Sequence, residues 1–198
     1  MSGVCDETIE MRGLRFHYRD WPGPHDGAQV IIALHGFTGH ARSWDAFATD
    51  MSKTHRVIAL DQRGHGESAW APPDAYGTLE MVADLEAFVA ALGLNAFSLV
   101  GLSMGGRVSI AYAGGRPKAL KRLVIVDIAP EIEAKGLSTI RERAAAQDVF
   151  ATKDLAFAAA RANNSVPPVE HHRHRVMHSL MRTSSGEWTY LYDRVMRD

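Results

Sequence analysis

Four short apolar runs constrain this chain more than any other feature: Val30-Ile31-Ile32-Ala33-Leu34, Val57-Ile58-Ala59-Leu60, Ala96-Phe97-Ser98-Leu99-Val100 and Leu123-Val124-Ile125-Val126. Each is of strand length, and most lack the apolar–polar alternation of a strand with one wet face. They therefore predict strands covered on both sides, as in a parallel sheet. Helical stretches separate them. Residues 78–92 are the clearest, with Leu79, Val82, Leu85, Phe88, Val89 and Leu92 on one stripe, Thr78 placed to cap the start and Gly93 to end it. Residues 43–51 and 107–112 read as two more helices. Residues 7–18 alternate loosely around Gly13 and predict an opening β-hairpin. Strand and helix alternating after an antiparallel start specify an α/β fold: a mainly parallel central sheet flanked by helices.

The pattern changes at Pro130. From 131 to about 182 the sequence is charged and helical, with helices predicted over 140–146, 154–162 and 169–182, broken at Asn163-Asn164 and Pro167-Pro168. The domain reading is a core over 1–130, a helical cap over 131–186, and the start of a return to the core over 187–198.

Charge excludes some functions. Lys and Arg total 22 against 23 Asp and Glu, so neither a nucleic-acid surface nor an acidic solvating tail is present. No apolar run is long enough to span a bilayer. The single cysteine, Cys5, forms no internal disulfide, and residues 1–7 lack a signal-peptide pattern, so a cytoplasmic protein is expected. His171, His172, His174 and His178 have helical spacings that suit one face, but no carboxylate or cysteine at matching spacing joins them. A solvated helix is the reading, and no metal or cofactor is expected.

Three loops follow the first three apolar runs: His35-Gly36-Phe37-Thr38-Gly39, Asp61-Gln62-Arg63-Gly64-His65-Gly66-Glu67-Ser68 and Gly101-Leu102-Ser103-Met104-Gly105-Gly106. In open α/β sheets ligands bind beyond the carboxyl ends of the strands, so these loops should border one site. The third is a G-x-S-x-G turn between a strand and a helix, which thrusts the serine hydroxyl out of the sheet edge. In type, order and spacing the three loops resemble the α/β-hydrolase superfamily, in its cap-bearing branch of serine esterases and related hydrolases.

The resemblance implies that Ser103 is the nucleophile of an acyl-enzyme mechanism on ester or similar acyl bonds. It implies that the backbone N–H groups of Phe37 and Met104 form the oxyanion hole, with His35 and Gly36 as the loop that supports it. A serine at the elbow disfavours the epoxide-opening and dehalogenating chemistries of relatives that use aspartate there. The substrate expected is a small, largely apolar ester or acyl compound. The sequence departs from the family after Asp127: no strand-like run followed by an acid appears, and no terminal Gly-His. The family's Ser…Asp…His order is thus broken, as in a chain lacking the last core strands and inactive as it stands. Asp127 lies at the carboxyl end of a core strand, where it reads either as the acid or as a turn residue before Pro130. An apolar edge left at residues 123–126 would favour self-association. A non-catalytic small-molecule-binding protein on the same fold is the alternative.

Overall fold

The computed structural model describes residues 3–128 and 148–197. The chain divides into two units, Met1–Glu131 and Ile132–Asp198. In the first, β1 (Cys5–Met11) and β2 (Leu14–Trp21) form the expected hairpin. Its two-residue loop, Arg12-Gly13, has positive φ at both positions (53° and 76°), the backbone hand that matches strand twist. Arg12 is an unusual residue for that conformation. Its guanidinium holds Glu80 and Asp84, anchoring the turn to a helix.

The remaining strands of this unit are β3 (Val30–Leu34), β4 (Arg56–Leu60), β5 (Phe97–Leu102) and β6 (Leu120–Val126). The sheet order is β1-β2-β4-β3-β5-β6; the last four strands run parallel and the hairpin joins them antiparallel through β2–β4. Helices α1 (Asp45–Met51), α2 (Thr78–Ala91) and α3 (Met104–Gly114) fill the crossovers. Ile31, Ala33, Val57, Ala59 and Val100 point to one face and pack with Trp21, Trp44 and Ala48. Ile32, Leu34, Ile58, Leu60 and Leu99 are equally buried by the alternation of the strand. The parallel-sheet reading of the first three apolar runs holds because both faces are covered.

The fourth differs. Leu123, Val124 and Val126 are 38%, 49% and 40% exposed, because β6 is the sheet's edge and pairs only with β5 among the described residues. Helix α2 also departs from expectation at its start. Gly77 is the N-cap, Thr78 is already helical, and Leu79 faces solvent. The buried stripe is instead Met81, Leu85, Phe88 and Val89 together with Asp84, whose carboxylate receives Arg63. Gly93 ends the helix with φ 62°, as expected.

The second unit carries α4 (Lys153–Asn163), capped by the Thr152 side chain, and α5 (Val169–His178). It also holds a small antiparallel sheet absent from the sequence reading: β7 (Val149–Phe150), β8 (Leu180–Arg182) and β9 (Trp188–Tyr190), in the order β7-β9-β8. The helix predicted over 169–182 therefore stops at His178, where the Ser179 hydroxyl donates to the Val176 carbonyl and the chain turns into β8. Residues 188–190, expected as a connection to the core, pair inside this sheet. Phe150, Ala156, Val176 and Leu180 form its core, and Trp188 lies beneath the cations of Lys153 and Arg182. The predicted helix over 140–146 lies outside the described residues. No helix among the described residues is long and apolar enough to cross a membrane.

Candidate active site

Ser103 occupies the single residue between β5 and α3, with φ 49° and ψ −111°. A side chain in this backbone region is strained, at a cost of about 1–3 kcal/mol. The turn is held from both sides: the Ser103 N–H donates to the Val126 carbonyl at 2.8 Å, and its carbonyl accepts the Arg107 N–H at 2.9 Å. Two glycines make the bend possible by close approach. A Cβ on Gly101 would run into Ser109 Oγ and the Gly105 carbonyl, and one on Gly105 into the carbonyls of Leu34 and His35. Met104 is the first helical residue, where backbone N–H groups have no intrahelical acceptor and the helix dipole is positive.

The loop after β3 lies against this turn. A Cβ on Gly36 would sit 3.3 Å from the Ser103 Cβ. The Gly36 carbonyl accepts the Gly39 N–H at 2.9 Å, closing a turn with Thr38 at φ 61°, and accepts His35 Nδ1 at 2.8 Å. His35 is fully buried and both its ring nitrogens are engaged, since Nε2 accepts the Gln62 N–H at 3.0 Å. This fixes the neutral tautomer with the proton on Nδ1. Burial pushes its pKa below the usual histidine value, in the same sense. The His35 carbonyl in turn accepts the Gly105 N–H at 3.1 Å and the Gln62 side-chain amide at 2.7 Å. The three loops of the sequence motif thus meet at one residue.

The loop over residues 61–68 has its own anchor. Asp61 is buried and its carboxylate accepts His17 Nδ1 at 2.7 Å, the Glu67 N–H at 2.9 Å and the Ala41 N–H. Burial alone would raise Asp61, but these bonds and the neighbouring His17 and His35 hold it below the ordinary carboxyl range. Burial likewise opposes charge on His17; the hydrogen bond and charge of Asp61, with Glu67 and Asp6 behind, outweigh it and raise its pKa. For His65, burial together with the neighbouring His35 outweighs the bond to the Arg63 carbonyl and the charge of Asp61, and drives its pKa to about 3. Its ring lies tilted beside His35 and edge-on to Phe37, with ring centroids 4.9 and 6.0 Å away.

The family model described as alpha/beta hydrolase fold matches residues 29–193. The chain belongs to the alpha/beta hydrolase fold family. Among its relatives, an N-formylmaleamate deformylase of Pseudomonas putida is 35% identical over 67% of this chain and 48% of its own length. An esterase of Mycobacterium tuberculosis is 30% identical over 98% of this chain and 66% of its own. The crystal structure of an alpha/beta hydrolase from Novosphingobium aromaticivorans superposes with a TM-score of 0.88 at 27% identity, covering 99% of this chain and 70% of that one. The chain spans about half the length of the first of these relatives.

Within this alpha/beta hydrolase chain, Ser103, Met104, His35, Gly36 and Phe37 are brought together at the carboxyl ends of β3 and β5. Asp127 follows β6 with φ 57°, exposed, one residue beyond the carbonyl that holds the Ser103 N–H. The histidines after Ser103 all belong to the second unit. There His172 is buried beside Phe157, and His178 Nδ1 bonds the His174 carbonyl. No group of three His, Cys, Asp or Glu side chains among the described residues is arranged to hold a metal. Two participants escape sequence reasoning, Gln62 and His17. Gln62 carries no motif letter, and its only signal is its place just beyond the carboxyl end of β4. His17 lies on the hairpin, 44 residues from the carboxylate it binds.

Proposed function

We propose that this chain carries the nucleophile and oxyanion hole of a serine hydrolase acting on small esters or comparable acyl compounds. The strained backbone of Ser103, next to the first turn of α3, is the observation that carries this reading. Ser103 Oγ attacks the substrate carbonyl carbon and gives up its proton to a base. The resulting oxyanion lies between the N–H groups of Met104 and Phe37, a contribution worth roughly 3–4 kcal/mol per donor in such sites. Collapse expels the protonated alcohol and leaves an acyl-enzyme, which water then cleaves. His35 is unsuited to be the base because both its nitrogens are committed to the scaffold. Asp127 is proposed as the acid, and residues 131–186 as a helical cap. The deformylase and esterase names of two relatives agree with acyl transfer.

The exposed apolar edge of β6 suits pairing with a second copy. The lone exposed Cys5 is compatible with a reducing, cytoplasmic setting.

The test is reaction with a fluorophosphonate probe and with p-nitrophenyl acetate, in the wild type and in Ser103→Ala. Labelling that disappears in S103A supports the nucleophile, and labelling without turnover supports a site lacking its acid and base. Absence of both, with stabilisation by small acyl ligands, would replace this reading by the non-catalytic binding protein.

A further inference from the structure

Gln62 is 3% exposed; its backbone N–H and its side-chain amide both converge on His35, while its backbone carbonyl accepts the His65 N–H at 3.0 Å. Its amide nitrogen must be the atom facing the His35 carbonyl, because a carbonyl only accepts. Its Oε1 is then left buried with no hydrogen-bond partner among the described residues. A buried polar atom without a partner is a desolvation cost, so a Met or Leu of similar volume would serve packing better. What Gln62 supplies is direction. Its backbone N–H makes His35 Nε2 the acceptor and therefore Nδ1 the donor to the Gly36 carbonyl. That carbonyl and the Phe37 N–H share one planar trans peptide, so fixing the oxygen inward fixes the N–H outward. Its side-chain amide holds the preceding peptide in the same way, together with the Gly105 N–H from the elbow.

We propose that Gln62 is a positioning residue of the oxyanion hole: acting through both atoms of His35 that it bonds, it sets the direction of the Phe37 N–H relative to Ser103. This rests on the oxyanion-hole reading above. The backbone bond survives any substitution except proline, so variants isolate the side-chain half of the device.

Gln62→Met removes the donor at nearly constant volume. Gln62→Glu replaces it with a carboxylate that repels the His35 carbonyl when ionised and donates to it when protonated, and burial raises the pH at which that happens. Fluorophosphonate labelling of Ser103 is measured relative to wild type at the same pH, so that titration of other groups cancels. Q62M should label about 10- to 100-fold more slowly at every pH, the scale of a small misplacement in an active site. Q62E should show a similar deficit at pH 8 that shrinks towards the wild-type rate at pH 5. A residue that merely fills space would give no such acid rescue. Hydrogen exchange at the Gly36 and Phe37 amides, followed by NMR, should quicken in Q62M and decides the matter if Q62E does not fold. If the wild type does not label, the hydrolase reading falls while exchange still judges Gln62. Wild-type labelling rates in the variants, or unchanged exchange at both amides, overturn the proposal.

Discussion

At Ser103 the backbone conformation opposes stability, and replacement by glycine separates the two. With φ 49° and ψ −111°, any side chain at this position is strained, and glycine relieves that strain while gaining entropy in the unfolded chain. The net expectation is that Ser103→Gly is more stable than Ser103→Ala by about 1 kcal/mol. Neither variant should take up the phosphonate. Urea unfolding of the pair checks this, and a lower midpoint for Ser103→Gly than for Ser103→Ala would mean that the bend is not strained. Gly105 gives the converse case. A methyl there meets two backbone carbonyls that belong to β3 and its loop, neither of which can swing aside. Gly105→Ala should cost about 2–3 kcal/mol in unfolding free energy and slow labelling, since the same carbonyl of His35 holds the site loops together. The elbow was legible in the sequence because its serine and glycines are flanked by a strand and a helix. Thr38, at positive φ, was not, since a β-branched residue does not announce a left-handed turn; Asp127, also at positive φ, fits its reading as a turn residue.

At the level of elements, helix α2 shows why a hydrophobic stripe is only a partial guide. Periodicity placed Leu79 in the core, where the structure places Asp84 and leaves Leu79 exposed. Asp84 is buried because it receives a forked pair of bonds from Arg63 at 2.5 and 2.6 Å and one from Arg12 at 2.7 Å. Such a partner, 21 residues away, leaves no mark on local apolar spacing. Asp84→Ala strands the buried Arg63 guanidinium and should cost about 3–5 kcal/mol, whereas Arg12→Ala, on the solvent side, should cost about 1 kcal/mol. Chemical unfolding of both variants tests the difference. The edge strand β6 raises a second expectation. Leu123-Val124-Ile125-Val126 has the composition of a strand covered on both faces, and its exposure is the apolar edge expected at these residues. If a second copy pairs there, size-exclusion chromatography will show concentration-dependent association that Val124→Lys abolishes. A monomer at all concentrations would dismiss self-pairing. The small sheet β7-β9-β8 was hidden for a simpler reason: strands of two and three residues are too short to express a period of two.

For the first unit as a whole, the buried histidines determine how stability responds to pH. His65 resists protonation in the fold down to about pH 3, but in the unfolded chain it takes up a proton near 6.5. Between those values unfolding binds a proton, so His65 alone lowers stability by about 1.4 kcal/mol for each unit of acidification. His35, also pushed down by burial, acts in the same direction. Asp61, whose carboxyl is held below its ordinary value, keeps its contribution until the pH falls past the unfolded carboxyl range, so it affects only the far acid limb. His17 has the opposite sign: its pKa is raised in the fold, so its pairing with Asp61 stabilises fully below pH 6.5 and is lost as the pH rises through the folded value. The two tendencies cross near neutrality. Unfolding free energy should therefore peak between the acid and alkaline limbs, with His65→Gln flattening the first and His17→Gln the second. Denaturation curves at pH 5, 6.5 and 8 measure this directly. Stability that climbs steadily from pH 5 to 8 in the wild type would mean that Asp61 does not hold His17 protonated, and an acid limb unchanged in His65→Gln would mean that His65 is not neutral in the folded protein.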